Sequence, residues 1–201
     1  TDPLVTAAWL AEHIDAPDIR VVDATWFMPN DPRDAKALYA ERRIPGAIFF
    51  DIDEIADTAS DLPHMLPSPE KFASRMKKAG IGDGARIVVY DNHGLMSAAR
   101  VWWTFRVFGH EDVTVLDGGF PAWERGGHEV ETAPPRQRME RHFTVRMRGD
   151  LVRDVADVQR AIEGGGKTPI LDARAAPRFR GEAPEPRAGL KSGHMPGALN
   201  V

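Results

Sequence analysis

Hydrophobic residues along the chain follow two periods, one typical of strands and one typical of helices. Short β-branched or apolar runs predict strands at residues 19–24, 47–52, 86–90 and 113–116. Apolar residues at helical spacing predict helices at residues 5–14, 69–79 and 97–109, and a further helix beginning at Pro121. Because strands alternate with helices, the sequence predicts an α/β fold with a central, mostly parallel sheet and helices on both faces.

Two segments lack a clear period. Residues 28–43 are charged and contain Pro29 and Pro32, which predicts a long loop or a loose helix. Residues 132–148 contain two adjacent prolines and five arginines, and no helix or strand pattern of any length fits them. We interpret this second segment as an inter-domain linker with solvated charges, and binding to an anionic surface is the alternative.

After this segment, the pattern of the first half begins again. The run Ile19–Ala24, followed by Ile44-Pro45-Gly46-Ala47, is echoed by Pro169–Ala173, followed by Met195-Pro196-Gly197-Ala198. The offset between the copies is 149 residues at the first strand and 151 at the second. The repeat predicts three segments: a first domain at residues 1–131, a linker at 132–148, and the first part of a second domain of the same fold at 149–201.

The composition narrows the class of protein further. The apolar fraction of 42%, the charged fraction of 28% and the net charge of −4 are typical of a soluble globular domain and argue against a polybasic nucleic-acid surface. No apolar run has the length of a membrane helix and no secretion signal opens the chain, which predicts a cytoplasmic protein without membrane contact. The histidines show no metal-binding spacing and there is no glycine-rich phosphate loop, so we expect no metal and no cofactor.

Three phrases of the sequence resemble the signature segments of tandem-domain rhodanese-like sulfurtransferases, the 3-mercaptopyruvate/thiosulfate sulfurtransferase family. They are Ile44-Pro45-Gly46-Ala47, Leu116-Asp117-Gly118-Gly119-Phe120-Pro121-Ala122-Trp123 and Gly193-His194-Met195-Pro196-Gly197-Ala198. The resemblance covers essentially the whole chain and implies two domains, each with a central parallel sheet. It also implies a silent first domain and a second domain whose loop cysteine accepts a sulfane sulfur as a persulfide. The acceptor would be a thiol, such as that of thioredoxin, or cyanide.

The same resemblance implies roles for residues of the first domain. Asp91 stands where a nucleophile would be, and we expect an inert loop because a carboxylate cannot carry sulfane sulfur. The alternative for this loop is an acid or base formed by Asp91 with His93. Asp53 and His64 resemble two members of a proposed family triad, in which the carboxylate fixes the tautomer of a proton-relaying imidazole. The alternative for His64 is a capping or packing role.

In the second domain, Arg178 and Arg187 resemble the two arginines that bind the carboxylate and ketone of 3-mercaptopyruvate. A planar guanidinium suits this task because it binds a carboxylate through two parallel hydrogen bonds. Relatives that prefer thiosulfate tend to lack the second arginine, so the resemblance favours mercaptopyruvate as the sulfur donor. The alternative for either arginine is a surface salt bridge with Glu182 or Glu185.

The chain contains no cysteine, so the nucleophile of the implied reaction is expected beyond Val201. The repeat would place it roughly 150 residues after Asp91. We therefore expect the 201 residues alone to be inactive. We also expect the remainder of the second domain, as a separate chain or segment, to cover the sheet around Leu171 and Leu199. A non-enzymatic rhodanese-like binding or regulatory module is the alternative function.

Overall fold

The computed structural model describes residues 2–165, 167–186 and 189–201. The chain divides into two compact units, a first unit that ends at Arg148 and a second unit that begins at Gly149. In the described residues, no helix combines the length and the apolar character needed to cross a membrane.

The first unit is an α/β fold around a five-stranded sheet. Its strands are β1 Leu4–Val5, β2 Ile19–Asp23, β3 Ile48–Phe49, β4 Arg86–Tyr90 and β5 Val113–Leu116. Its helices are α1 Ala7–His13, α2 Ala35–Glu41, α3 Pro69–Lys78, α4 Ser97–Val107 and α5 Gly119–Arg125. The strand order is β1-β5-β4-β2-β3 and every pair is parallel, which confirms the predicted fold class.

Two apolar cores, one on each face of this sheet, hold the first unit together. On one face, Val22 and Val89 belong to a core that includes residues of α3 and α4. On the other face, Val21 and Val88 belong to a core that includes residues of α1 and α5. Each such aliphatic side chain stabilises the fold by about 1.5–3 kcal/mol when fully buried. The predicted cover of both faces is therefore confirmed.

The first strand was hidden inside a predicted helix. The prediction began the first helix at Val5, whereas Leu4 and Val5 pair in parallel with Val115 and Leu116. The helix begins only after Thr6, whose side chain accepts the Trp9 N–H at 3.1 Å as the predicted cap. Two residues are too few for a periodic signal, and it is the exposed edge of β5 that selects the strand conformation here.

The segment predicted as a linker contains no helix or strand between residues 132 and 148, as its lack of pattern indicated. However, this segment belongs to the first compact unit, which ends at Arg148 rather than at residue 131. The physical reason is that Phe143 is 5% exposed and lies in the core, while Thr144 donates from its N–H and hydroxyl to Asp83. A polar segment with one well-placed aromatic residue thus packs on the sheet domain.

The second unit contains a 3₁₀ turn at Gly149–Leu151, helices α6 Val155–Glu163 and α7 Ala176–Phe179, and strands β6 Leu171–Asp172 and β7 Leu199–Asn200. Strands β6 and β7 pair in parallel, with Leu171 opposite Leu199. In the first unit, Val22 lies opposite Ile48. These two pairings are related by the sequence offsets of 149 and 151, so the strand register carries the repeat seen in the sequence.

Candidate functional site

The loops that follow β2, β3 and β4 lie at one edge of the sheet, because the carboxyl ends of parallel strands point the same way. Trp26 follows β2, Asp53 follows β3, and Asp91 follows β4. In open α/β sheets this carboxyl edge is the usual place for a ligand. The first-unit residues that the sequence singled out therefore lie on or near one edge of the fold.

Asp53 and His64 are in contact, as the sequence predicted for a cooperating pair. The Asp53 Oδ1 and His64 Nδ1 atoms are 3.1 Å apart, which is within ion-pair distance. The ring nitrogen is not aligned for a hydrogen bond to that oxygen, and His64 Nδ1 has no hydrogen-bond partner in the residues described. Geometry of this kind often tightens when substrate binds. The pair therefore has the components of a carboxylate-oriented imidazole in a relaxed arrangement.

Trp26 completes this pair, and the sequence analysis did not identify it. Its indole N–H donates to Asp53 Oδ2 at 3.1 Å, and its ring meets the His64 ring edge to face at 5.0 Å between centroids. Trp26 therefore contacts both members of the pair. The usable signal was a large aromatic residue with a polar N–H placed shortly after a buried strand, where its indole N–H needs a partner.

Asp91 is fully buried, and its carboxylate is bound by its own loop. Oδ1 accepts the N–H groups of His93 and Gly94, each at 2.9 Å. Oδ2 accepts the N–H groups of Met96 and Ala98, at 2.7 and 2.9 Å. The second pair lies at the start of α4, where orphan N–H groups and the helix dipole favour an anion. Asp91 is thus the anion of its own loop.

The predicted alternative for this loop, an acid–base pair of Asp91 and His93, is not what the geometry supports. The Asp91 carboxylate accepts the main-chain N–H of His93, while the His93 ring packs edge to face on Phe27 at 5.0 Å between centroids. A carboxylate that accepts four backbone hydrogen bonds is a structural anion. The loop therefore stabilises α4 and holds no reactive group of its own.

The Gly118-Gly119 phrase is explained by a close approach to this loop. Gly119 has φ +55°, and a Cβ atom there would lie 2.3 Å from the Asp91 carbonyl oxygen. The same carbonyl accepts the Phe120 N–H at 2.9 Å. Glycine is needed at this turn because any side chain would collide with the loop that follows β4.

A buried polar network lies beneath the carboxyl edge. Asp23, at the end of β2, is fully buried and its Oδ1 accepts the Thr25 N–H and hydroxyl at 2.9 and 2.5 Å. The Thr25 hydroxyl also accepts the Asn92 N–H at 3.1 Å, which ties β2 to the loop that contains Asp91. Burial raises the pKa of the Asp23 carboxyl, and burial together with the nearby Asp23 raises the pKa of the Tyr90 phenol well above its usual value.

Arg178 in the second unit pairs with Glu185, one of the two partners named as its structural alternative. Its Nη2 and Nε atoms lie 2.5 and 3.2 Å from Glu185 Oε2. The other carboxylate oxygen, Glu185 Oε1, accepts from Arg174 at 2.9 Å, and Arg174 also binds Asp172 at 2.7 Å. The Arg178 guanidinium, and secondly the charges of both arginines, keep the pKa of the Glu185 carboxyl below its usual value. Arg178 therefore has a fixed position, and 32% of its side chain remains exposed.

Arg187, the second predicted substrate-binding arginine, lies outside the described residues. No group of three or more His, Asp or Glu side chains that would hold a metal ion occurs in residues 2–165, 167–186 and 189–201. The residues considered above come from two compact units, each of which we describe on its own.

Val201, beyond which the sequence analysis placed the nucleophilic cysteine, directly follows strand β7. Its N–H donates to the Asp172 carbonyl at 3.2 Å, so the main chain continues the contact between β6 and β7 as far as this residue. Its side chain is exposed and has no group that could take part in sulfur chemistry. Val201 is therefore a strand-end residue and not a member of the site, and the position of the cysteine stays a prediction.

The comparisons with known proteins point to one family. The sequence pattern of the rhodanese-like domain matches residues 6–125. The 3-mercaptopyruvate sulfurtransferase of Escherichia coli K12 is 43% identical over 98% of this chain and 70% of its own length. The human 3-mercaptopyruvate sulfurtransferase is 40% identical over 98% of this chain and 68% of its own length. A mitochondrial thiosulfate/3-mercaptopyruvate sulfurtransferase of Arabidopsis thaliana is 39% identical, and this chain spans only 57% of its length.

The fold is shared with solved structures. The crystal structure of SseA from Escherichia coli, from a study of 3-mercaptopyruvate sulfotransferases, has a TM-score of 0.89 at 41% identity and covers 100% of this chain and 75% of that chain. The Tum1 protein of Saccharomyces cerevisiae has a TM-score of 0.89 at 31% identity, over 99% of this chain and 69% of that chain. The similarity thus extends through both units of the chain.

Proposed function

We propose, from the premise that this chain belongs to the rhodanese-like sulfurtransferase family, that it forms part of a 3-mercaptopyruvate sulfurtransferase. The single observation that supports this proposal best is the contact of Asp53 with His64, at 3.1 Å, on the carboxyl edge of a rhodanese-like domain. The small molecules handled are a sulfur donor and a thiol or cyanide acceptor. Thioredoxin as acceptor and a cytoplasmic location are parts of the same proposal.

The chemistry requires a thiolate that these residues do not contain. In the proposed reaction a cysteine thiolate, supplied from outside this sequence, attacks the sulfur of 3-mercaptopyruvate. The carbon–sulfur bond breaks, its electron pair becomes the enolate of pyruvate, and the cysteine becomes a persulfide. A proton then reaches the enolate carbon, and a thiol or cyanide acceptor removes the outer sulfur from the persulfide.

Asp53 and His64 are proposed to serve the proton steps. A carboxylate beside Nδ1 favours the tautomer with a proton on Nδ1, which leaves Nε2 free to accept a proton and pass it on. Trp26 supports this arrangement because its N–H holds the second oxygen of Asp53. The family's third triad member, a serine near the active loop, would come from outside this sequence, as the cysteine does.

Arg178 and Arg187 are proposed to bind the carboxylate and ketone of the donor. The contact of Arg178 with Glu185 supports a positioned guanidinium rather than a mobile one, since both groups are held within hydrogen-bond distance. A planar cation held in this way can bind a substrate carboxylate with its remaining N–H groups. Thiosulfate lacks a carboxylate, and we propose it as the poorer donor.

The test is sulfur transfer by the full-length protein that contains this chain. With 3-mercaptopyruvate and a thiol, we expect pyruvate release and a protein mass increase of one sulfur atom on a cysteine. His64→Asn should lower kcat roughly 100-fold or more, as removal of a general acid–base group does. Asparagine is chosen because it tolerates the left-handed backbone at this position.

The matched control is His128→Asn, because the His128 ring packs on Trp123 at 4.6 Å between centroids and has no proposed catalytic role. Its kcat should stay within about 2-fold of the wild type, as expected for a residue outside the reaction. The proposal is overturned if the full-length protein forms no persulfide, or if the two histidine variants have the same kcat.

A further inference from the structure

His64 occupies a backbone conformation that needs external support. It has φ +58°, and it is the one non-glycine residue with positive φ in the part of the chain described. Residues other than glycine adopt this left-handed conformation at a cost, and they keep it only where the surrounding structure imposes it. The ring direction of His64 depends on this backbone, because the rotation that aims the imidazole at Asp53 starts from the His64 Cα.

Arg100 provides a contact that imposes this conformation. Its Nη2 donates a short hydrogen bond to the His64 carbonyl oxygen, from a position on α4 that is 36 residues away in sequence. The Arg100 guanidinium lies over the Trp103 ring at 5.6 Å and is half-buried. A partly buried cation bound to a main-chain carbonyl fixes the peptide that follows His64.

The charge state of Arg100 fits this role. In the residues described, Arg100 forms no ion pair with a carboxylate, and partial burial lowers the pKa of its guanidinium. A buried cation without an anionic partner is costly, so the hydrogen bond to the His64 carbonyl is a main compensation for it. Surface arginines of this chain pair instead with acidic side chains, as Arg42 does with Glu124 at 2.7 Å.

We propose that Arg100 is a positioning residue, which holds the His64 main chain and thereby directs the imidazole towards Asp53. The helix α4 that carries Arg100 is itself held by the Asp91 carboxylate through the N–H groups of Met96 and Ala98. The chain of contacts therefore runs from the Asp91 loop through α4 and Arg100 to the His64 ring. The predicted effect on turnover rests on the proposed function, whereas the predicted effect on the ring does not.

The test compares Arg100→Met with Arg106→Met in the full-length protein. Arg106 lies on the same helix and its guanidinium stacks on Trp102 at 4.9 Å, so the control removes a similar cation–ring contact at another position. The first readout is the pair of His64 ring ¹⁵N signals followed through a pH titration, which reports the tautomer and the pKa of this ring. The second readout is the steady-state kcat and KM for 3-mercaptopyruvate.

Arg100→Met should change the His64 tautomer ratio and shift its titration, whereas Arg106→Met should leave both as in the wild type. It should also lower kcat roughly 10- to 100-fold, the size expected from a misplaced catalytic group, with KM within about 2-fold of its wild-type value. Arg100→Lys keeps a cation that reaches the carbonyl and should give an intermediate change, which provides the reading if the methionine variant does not fold.

Identical His64 signals in wild type, Arg100→Met and Arg100→Lys would overturn the positioning role. Altered signals with an unchanged kcat would support the positioning role while contradicting the proposed catalytic use of His64. A full-length protein without any sulfur transfer would contradict the proposed function and leave the ring signals as the deciding readout for Arg100. The two failures are therefore distinguishable.

Discussion

Asp23 in the first unit and Asp172 in the second stand at equivalent positions of the repeat, at the ends of β2 and β6. Each carboxylate accepts the N–H of the residue two positions later, Thr25 at 2.9 Å and Arg174 at 3.0 Å. The second contact differs, because Asp23 receives the Thr25 hydroxyl at 2.5 Å and Asp172 receives the Arg174 guanidinium at 2.7 Å. One backbone turn is thus completed by a neutral partner in one copy and by a cation in the other.

This difference gives the two carboxylates opposite titration behaviour. Burial raises the pKa of Asp23, whereas the Arg174 guanidinium lowers the pKa of Asp172 to about 2. The first unit uses its carboxyl edge to build a buried polar network and a self-bound loop. The second unit keeps charged groups there, and Arg174 and Arg178 share Glu185. Similar backbones thus serve support in one unit and the proposed substrate binding in the other.

Removal of the first unit's anion should have the largest effect. Asp91→Ala leaves four backbone N–H groups and the start of α4 without their acceptor, and we expect a loss of roughly 3 kcal/mol in the free energy of unfolding. Urea unfolding of the full-length protein measures it. Asp91→Asn, which retains one acceptor oxygen, should lose less. An Asp91→Ala variant of unchanged stability but greatly reduced sulfur transfer would show that the comparison assigns this carboxylate the wrong role.

Removal of the second arginine should separate the two donors. Arg187→Gly should lower kcat/KM for 3-mercaptopyruvate roughly 10- to 150-fold, which corresponds to a contact of about 1.5–3 kcal/mol to its carboxylate. Thiosulfate has no carboxylate, so its kcat/KM should fall far less. Arg180→Gly is the control, because Arg180 pairs with Glu182 at 2.9 Å on the surface of the same unit. Equal losses for both donors would mean that Arg187 supports the fold.

The two aspartates should respond to pH in opposite directions. The folded pKa of Asp172 is below its unfolded value, so its contribution is present above pH ~4 and is lost as the pH falls towards 2. The folded pKa of Asp23 is above its unfolded value, so its contribution is present below pH ~4 and is lost as the pH rises through the folded pKa. Asp23→Asn and Asp172→Asn should each flatten one side of the curve of unfolding free energy against pH. Matching curves for both variants would remove the contrast between the copies.

The smallest expected effect comes from the neutral partner of Asp23. Thr25→Val removes the hydroxyl that donates to Asp23 and accepts from Asn92, and should lower the free energy of unfolding by about 1–2 kcal/mol. Thr114→Val is the control, because the Thr114 hydroxyl is also buried but its hydrogen bond to the Ile87 carbonyl is long, at 3.4 Å. Chemical denaturation distinguishes the two. An equal cost for both would indicate that the Thr25 hydroxyl has no special place in the network.

Periodicity predicted the elements in which many residues share a pattern. Strands β4 and β5 begin and end at the predicted residues, and the Ser68 cap and Pro69 start of α3 are as predicted. Strand β1 was missed because two residues carry no period, and its conformation comes from pairing with β5. The packing of Phe143 was missed because one aromatic residue in a polar segment has no pattern that indicates its partner.

The candidate site was predictable in its residues but not in its contacts. Asp53 and His64 came from a family resemblance, and no helix or strand spacing places residues 11 positions apart in an irregular loop at 3.1 Å. Their contact depends on a left-handed backbone and on Arg100, which comes from a distant helix. The pairing of Arg178 with Glu185 was foreseen as an alternative because the two residues lie seven positions apart in one loop. Long-range contacts of single side chains need the folded structure.

The Asp91 loop has a consequence for how the first unit responds to its surroundings. A nest of backbone N–H groups at a helix start ordinarily exchanges its anion with the solvent, and its occupancy then follows the salt concentration. Here the anion is a side chain of the same loop, so its effective concentration is far above that of any dissolved ion. Sulfate or phosphate in the medium therefore cannot compete for this nest, and dilution cannot empty it. The first unit carries a tethered ligand that makes this part of the fold independent of solutes.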